Sequence, residues 1–289
     1  MSYIFIISQH RTGSTLLKNI LNAHSQITMA FDEMNFFEPF RNNTLDKYFK
    51  KFDISVDEFV ELINQKKIYG TFWKEFEKSG ITLDELMQEL NKEEGISLKF
   101  VLKSILSLLK QKNNTTFAGV KYPIHFRKLN YLIKSFPNSK IIFLTRNPKA
   151  IIASKVNDPA TKKRKRHLKF VSSLFHYFTL LYFSIEFNYS VKTYYKYKNN
   201  LYPVMYEDIV TNREETIENI CSYCSIGYEG SMLKATGKKS SYNNINSDMM
   251  HQASIEKYKE VLSLFDRKLI DLLTGHYYKK IQNELSSHF

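Results

Sequence analysis

At 289 residues the chain is long enough for one large α/β domain with insertions or for two modest domains. Hydrophobic residues make up 43% and charged residues 25%, a balance that excludes a disordered chain. The net charge of +13 admits nucleic acid, an anionic membrane face or anionic small molecules as partners, and by itself does not choose among them.

Residues 3–7, YIFII, form an apolar run rich in β-branched side chains, the pattern of a buried strand. Residues 8–14 are polar and hold a single glycine, Gly13; Leu16, Leu17, Ile20 and Leu21 then recur at helical spacing. Strand, tight loop and helix in that order aim free loop N–H groups and the positive end of the helix dipole at one spot, which suits a phosphate or sulfate. Arg11 adds a fork of donors, and Ser14 and Thr15 add hydroxyls in the first helical turn. The loop is not a Walker A motif, G-x-x-x-x-G-K-[ST]: Ser8 stands at the first Gly position and no Lys follows Gly13. Residues 27–40 predict a short extended segment ending in an acidic and aromatic loop with Asp32, Glu33 and Glu38.

Residues 44–112 predict helices and little strand. One spans 56–63. Another spans 82–87, with Thr82 and Glu85 spaced as a capping box, and a third spans 98–109. The block reads as a helical insertion covering the site within a single domain over 1–289, although solvated helices with no catalytic role give the same pattern. A second strand is expected at 118–123, ended by Pro123, and a helix at 126–135. Residues 140–145, KIIFLT, form the clearest buried strand. Arg146-Asn147-Pro148 follows directly, with Asn147 as N-cap and Pro148 as first residue of a helix reaching Ser154. An Arg at that strand end suits an anion, whereas a P-loop kinase wants an Asp there for magnesium.

The run at 162–169, KKRKRHLK, predicts a solvated segment. Residues 170–187 are apolar almost all round; His176, Glu186 and several serines interrupt them, so a buried helix is expected rather than a membrane span. A basic stretch beside an aromatic helix also fits the surface of an anionic membrane. Residues 201–206 predict a further strand, followed by Glu207 and Asp208, the metal-ligand candidates of a kinase reading. Cys221 and Cys224 form a lone C-x-x-C in a helical pattern, expected to be two half-buried thiols in a reducing cytosol. No leader precedes the first strand, so a cytoplasmic location is expected. A polar, basic loop at 237–243 and an amphipathic helix at 262–285 complete the chain.

Four of these segments carry a family resemblance. RTGSTLL followed by NAH resembles the 5′-phosphosulfate loop of the sulfotransferases that use PAPS (3′-phosphoadenosine 5′-phosphosulfate). FPNSKIIFLTRNPKAIIAS resembles the 3′-phosphate-binding segment of the same family, with Asn147 in place of the usual Asp. VMYEDIVTNREETIENICSYCSIGY resembles the family's largely structural Tyr-Glu-Asp-Leu segment. GKKSSYN looks like its C-terminal cofactor loop, and Tyr258 stands where relatives often have Trp.

The resemblance implies an α/β fold, a P-loop-like parallel sheet wrapped by helices. It implies transfer of a sulfuryl group from PAPS to an acceptor hydroxyl, with PAP (the 3′,5′-bisphosphate) as product and no metal. Arg11, Thr12, Gly13, Ser14, Thr15 and Leu16 are then expected around the 5′-phosphosulfate, Arg146 and Ser154 on the 3′-phosphate, and Ser240 and Ser241 in the C-terminal cofactor loop. Lys121 resembles a family Lys near the sulfuryl group. Glu33 is the expected general base, with Asp32, His10 and His125 as alternatives. The acceptor class (glycan, lipid, phenol, peptide or other hydroxyl metabolite) is not readable, nor is the oligomeric state. Nucleic acid is not an expected partner under this reading, and a peripheral membrane contact stays open. The competing readings are a P-loop kinase and a basic protein that binds a nucleic-acid or membrane surface.

Overall fold

Strand β1 (Ser2–Ser8) is the YIFII run, with Ile4, Phe5, Ile6 and Ile7 fully buried. In this computed structural model the strands form one five-stranded sheet of order β2-β3-β1-β4-β5. The others are β2 (Ile27–Met29), β3 (Phe117–Pro123), β4 (Lys140–Thr145) and β5 (Tyr202–Met205). The sheet is parallel: Ile27 lies opposite Phe117 between β2 and β3, and Ile142 opposite Tyr202 between β4 and β5. Continuous apolar runs rather than alternating ones are what a parallel sheet buried on both faces requires. In open sheets of this kind ligands bind beyond the carboxyl ends of the strands. The structure describes residues 2–30, 45–51, 54–65, 67, 78–93, 96–123, 125–159, 161–163, 172–237 and 253–286.

The chain divides into two compact units. The first holds residues 1–7, 15–141 and 229–246. Helix α1 (Ser14–Leu21) runs into it from the loop after β1, burying Leu17, Ile20 and Leu21. Asn22 Oδ1 accepts the Met29 N–H at 2.7 Å, and His24 Nδ1 accepts the Gln26 N–H at 3.0 Å, so the polar residues after α1 hold the entry to β2. Glu229 accepts from the Ser25 N–H at 2.9 Å and from the Ser25 hydroxyl.

Helices α2 (Leu45–Lys51), α3 (Val56–Asn64), α4 (Leu83–Leu90) and α5 (Leu98–Asn113) follow. Both α3 and α4 begin with complete capping boxes, Ser55 with Glu58 and Thr82 with Glu85, the second as predicted. Helix α5 buries Val101, Leu102, Ile105 and Leu106 and packs on β2 and β3. A β-carbon at Gly119 would lie 2.5 Å from the Met29 sulfur and 2.7 Å from the Ile4 carbonyl, so β3 needs glycine there. The predicted helix after β3 is a short 3-10 turn, His125–Lys128, and then α6 (Leu129–Ser135).

The second unit holds residues 8–14, 142–228 and 247–289. Its helices are α7 (Pro148–Val156), α8 (Ser172–Tyr197), α9 (Tyr206–Thr211), α10 (Arg213–Cys224), α11 (Ala253–Glu256), α12 (Tyr258–Val261) and α13 (Leu264–Ser286). Ile152, Ala153, Leu180, Phe183, Leu262 and Ile270 close the core between α7, α8 and the C-terminal helices. Phe143 of β4 stacks on Tyr194 of α8 with centroids 5.1 Å apart.

Two expectations change here. Cys221 and Cys224 are fully rather than half-buried, because they lie on the inward face of α10 beside Ile217 and Ile220. The helix expected to be buried, α8, is buried on one side only: Leu174, Phe178 and Ile185 face outward.

Candidate active site

The segment after β1 turns sharply at two left-handed residues, Arg11 (φ 70°) and Gly13 (φ 93°). Thr12 is buried between them, and its hydroxyl donates to the Gln9 carbonyl at 2.9 Å, closing the turn from within. Gln9 is itself buried and donates from Nε2 to the Phe183 carbonyl at 3.1 Å and to Glu186 Oε2 at 3.3 Å. The loop is therefore bolted to α8. At Gly13 a β-carbon would sit 2.3 and 2.6 Å from carbons of the Tyr206 ring, so both the positive φ and the close approach demand glycine.

Tyr206 follows β5 and stands at the centre of the cluster. Its ring lies under the Arg146 guanidinium, 4.0 Å from the centroid, and its hydroxyl shares a 3.0 Å hydrogen bond with the Ser254 hydroxyl. Arg146, at the end of β4, donates from Nη2 to the Ser254 carbonyl at 2.7 Å and from Nη1 to the Arg11 carbonyl at 3.3 Å. Arg11 Nε donates to the Ser154 hydroxyl on α7 at 2.9 Å. Loop, strand end and helix thus bring Arg11, Arg146 and Ser154 together, three residues the sequence motifs single out as anion ligands.

The electrostatics of this cluster favour an anion. Burial lowers the Arg146 pKa from the ordinary guanidinium value; Tyr206 and Glu207 oppose that, while Arg11 pushes the same way. The two guanidinium groups, on the turn after β1 and at the end of β4, repel each other, and among the described residues Arg11 has no carboxylate partner. Arg146 Nε is buried without a hydrogen-bond partner among the described residues. Asn147 caps α7 as predicted: its Oδ1 accepts the Lys149 N–H at 2.9 Å, with Pro148 at the first helical position. The Asn147 N–H donates to Glu207 Oε1 at 3.0 Å. Desolvation raises the Glu207 pKa, against the opposing effects of that hydrogen bond and of Arg146. The carboxylate that a kinase reading would give to a metal is thus engaged with the backbone after β4.

In the first unit a buried cation reaches the start of α1. Lys121 of β3 is 4% exposed, and its Nζ donates to the Thr15 hydroxyl at 3.0 Å. Ser14, the first residue of α1, is also buried, while Leu16 is half-buried. His10 is half-buried within the loop. Asp32, Glu33, Ser240 and Ser241 lie outside the described residues, as does the side chain of His125.

Sequence reasoning missed three residues. Tyr206 falls in a segment whose sequence pattern is structural, yet it follows β5 much as Arg146 follows β4, and that strand-end position is the available signal. Gln9 sits inside the motif but was given no role. Ser254 contributes mainly a carbonyl, which no side-chain pattern can reveal.

The fold is that of an α/β protein of P-loop-like layout. A family model described as the Sulfotransferase family matches residues 3–230, and the chain belongs to that family, as a sulfotransferase. Among solved structures it is similar to the sulfotransferase domain of the Synechococcus PCC 7002 olefin synthase, with a TM-score of 0.58 and 16% identity, covering 96% of this chain and 94% of that one. It is also similar to the sulfotransferase domain from the curacin biosynthetic pathway, with a TM-score of 0.57 and 18% identity, covering 93% and 95%. A comparison of the sequence with curated proteins gives no significant match.

Proposed function

We propose that the chain transfers the sulfuryl group of PAPS to a hydroxyl on a small-molecule or glycan acceptor. The observation that carries this reading is the cluster of Arg11, Arg146 and Ser154 on the Tyr206 ring. It fits a donor with two anionic ends. Arg146, with its unpartnered buried Nε, and Ser154 would hold the 3′-phosphate. Arg11, the amides of residues 12–16 and the positive end of α1 would hold the 5′-phosphosulfate. Gly13 keeps that approach open, since any side chain there meets Tyr206.

In the reaction the acceptor oxygen attacks sulfur, and the bond from sulfur to the bridging phosphate oxygen breaks. The electron pair stays on that oxygen, where Arg11 stabilises the new charge. The acceptor proton passes to a carboxylate, for which Glu33 is the candidate and Asp32 its neighbour in register. Cationic side chains take the place a metal would hold in a kinase. A cytoplasmic setting belongs to the same proposal.

The test is calorimetry with PAP and with ATP, with and without magnesium. PAP is expected to bind in the micromolar range or tighter without metal, and ATP far more weakly. Tighter, magnesium-dependent ATP binding would overturn the assignment in favour of a kinase.

A further inference from the structure

The outer face of α8 is exposed. Leu174, Phe178, Leu181, Ile185 and Tyr189 follow one another at spacings of four, three, four and four, with Tyr177 beside them, and all are exposed. At about 100° per residue they form one stripe about 120° wide. Leu174 is 70% exposed, Phe178 62% and Ile185 58%. The opposite face carries the packing, with Leu180, Phe183 and Phe187 buried. Tyr177 meets Phe265 edge-on at 6.0 Å, so the start of α13 extends the patch with another exposed ring. A contiguous apolar surface of this kind marks an interaction site.

Charge decides what it meets. The one carboxylate of α8, Glu186, is 3% exposed and accepts from Gln9. Asp266, on α13 beside His176, is buried and accepts from the Ser263 N–H. The stripe therefore presents no acid. Its next two positions are Lys192 and Lys196, both exposed. Lys162 and Lys163, at the start of the basic run that precedes α8 in sequence, are exposed too. A second copy of this chain is a poor occupant. Parallel pairing on a two-fold would set Lys192 and Lys196 against themselves.

We infer that this face of α8 docks on an anionic lipid surface. The aromatic and aliphatic side chains enter the boundary between headgroups and acyl chains, and the lysines meet lipid phosphates. Among the described residues no helix is long and apolar enough to cross a membrane, so the contact is peripheral.

The experiment is sedimentation with vesicles of phosphatidylglycerol mixed into phosphatidylcholine, beside vesicles of phosphatidylcholine alone. The protein is expected to bind the mixed vesicles, to weaken several-fold as salt rises, and to bind the neutral ones little. Phe178→Glu with Ile185→Glu is expected to weaken partitioning about a hundredfold. Lys192→Glu with Lys196→Glu should weaken it at least about tenfold. Unchanged melting temperatures confirm that the surface variants fold. Absence of binding to the anionic vesicles overturns the proposal. So does binding that the Phe178/Ile185 pair leaves intact, since charge alone would then suffice. A dimer in sedimentation equilibrium that the same pair dissolves would assign the face to a second copy.

Discussion

Gly13→Ala probes the geometry of the loop most directly. The new methyl would lie 2.3 Å from one carbon of the Tyr206 ring and 2.6 Å from another, and alanine would have to hold φ 93°. The backbone cost alone is about 1–3 kcal/mol. Displacing the ring forfeits its stacking under Arg146, about 0.5–2 kcal/mol, and its hydroxyl contact with Ser254, about 1 kcal/mol. Part of this falls on folding and part on binding. PAP affinity is therefore expected to drop by about tenfold to a few hundredfold, at roughly tenfold per 1.4 kcal/mol, with a lower melting temperature. Calorimetry with PAP on the four proteins of a Gly13→Ala and Tyr206→Ala cycle separates the terms. With the ring gone, the alanine should cost only its backbone share, so the two changes should be far from additive. Strict additivity, or PAP binding by Gly13→Ala equal to that of the parent, would refute the clash.

Arg146→Ala is expected to weaken PAP by about tenfold to a hundredfold, the loss of one charge-assisted bond, and to affect adenosine 5′-phosphosulfate little. Equal weakening of both ligands would remove Arg146 from the 3′-phosphate. Arg11→Ala should lower kcat at saturating PAPS more than it alters acceptor affinity, and an unchanged kcat would leave Arg11 as a loop residue only. Glu33→Gln should cut kcat by about 10²–10⁴ with PAP binding intact and Asp32→Asn doing much less; if neither matters, His10 or His125 takes the proton. Glu207 has a raised pKa, so its neutral form is favoured in the folded state, and its contribution to stability is lost as pH rises above the ordinary carboxylate range. Glu207→Gln keeps an oxygen for the Asn147 N–H and cannot ionise. Its melting temperature relative to the parent should therefore climb with pH from about 4 to 7, and a gap that stays flat or shrinks across that range would refute the reasoning.

The central strands were legible because a parallel strand covered on both faces reads as an unbroken apolar run, as in residues 3–7 and 140–145. The Arg146–Ser154 spacing was legible because Asn147 and Pro148 mark a helix start by local chemistry alone. Helix α8 was not. Its apolar residues surround the axis, so no periodicity says which side is covered. The structure buries Thr179, Ser184, Glu186 and Ser190 and turns Leu174, Phe178, Leu181 and Ile185 outward, the reverse of a hydropathy-based reading. Three of these polar side chains have partners: Thr179 donates to the Phe175 carbonyl and Ser190 to the Phe187 carbonyl of the same helix, and Glu186 receives Gln9, while the Ser184 hydroxyl has none among the described residues. Tyr206 escaped because its role depends on Gly13 and Arg146, residues far away in the chain.

Arg11 holds φ 70° without being glycine, and it is exposed at the tip of the turn. Glycine would take that backbone angle at no steric cost, so the arginine leaves the turn about 1 kcal/mol less comfortable than it need be. The guanidinium is what position 11 gains in exchange, aimed at Ser154 by the very backbone bend that strains it. Any selection for heat resistance alone would press this position toward glycine and discard the cation. Under the role proposed for Arg11, sulfuryl transfer and thermal robustness pull against each other at this one residue, and a stabilised variant of the enzyme should be sought elsewhere in the chain.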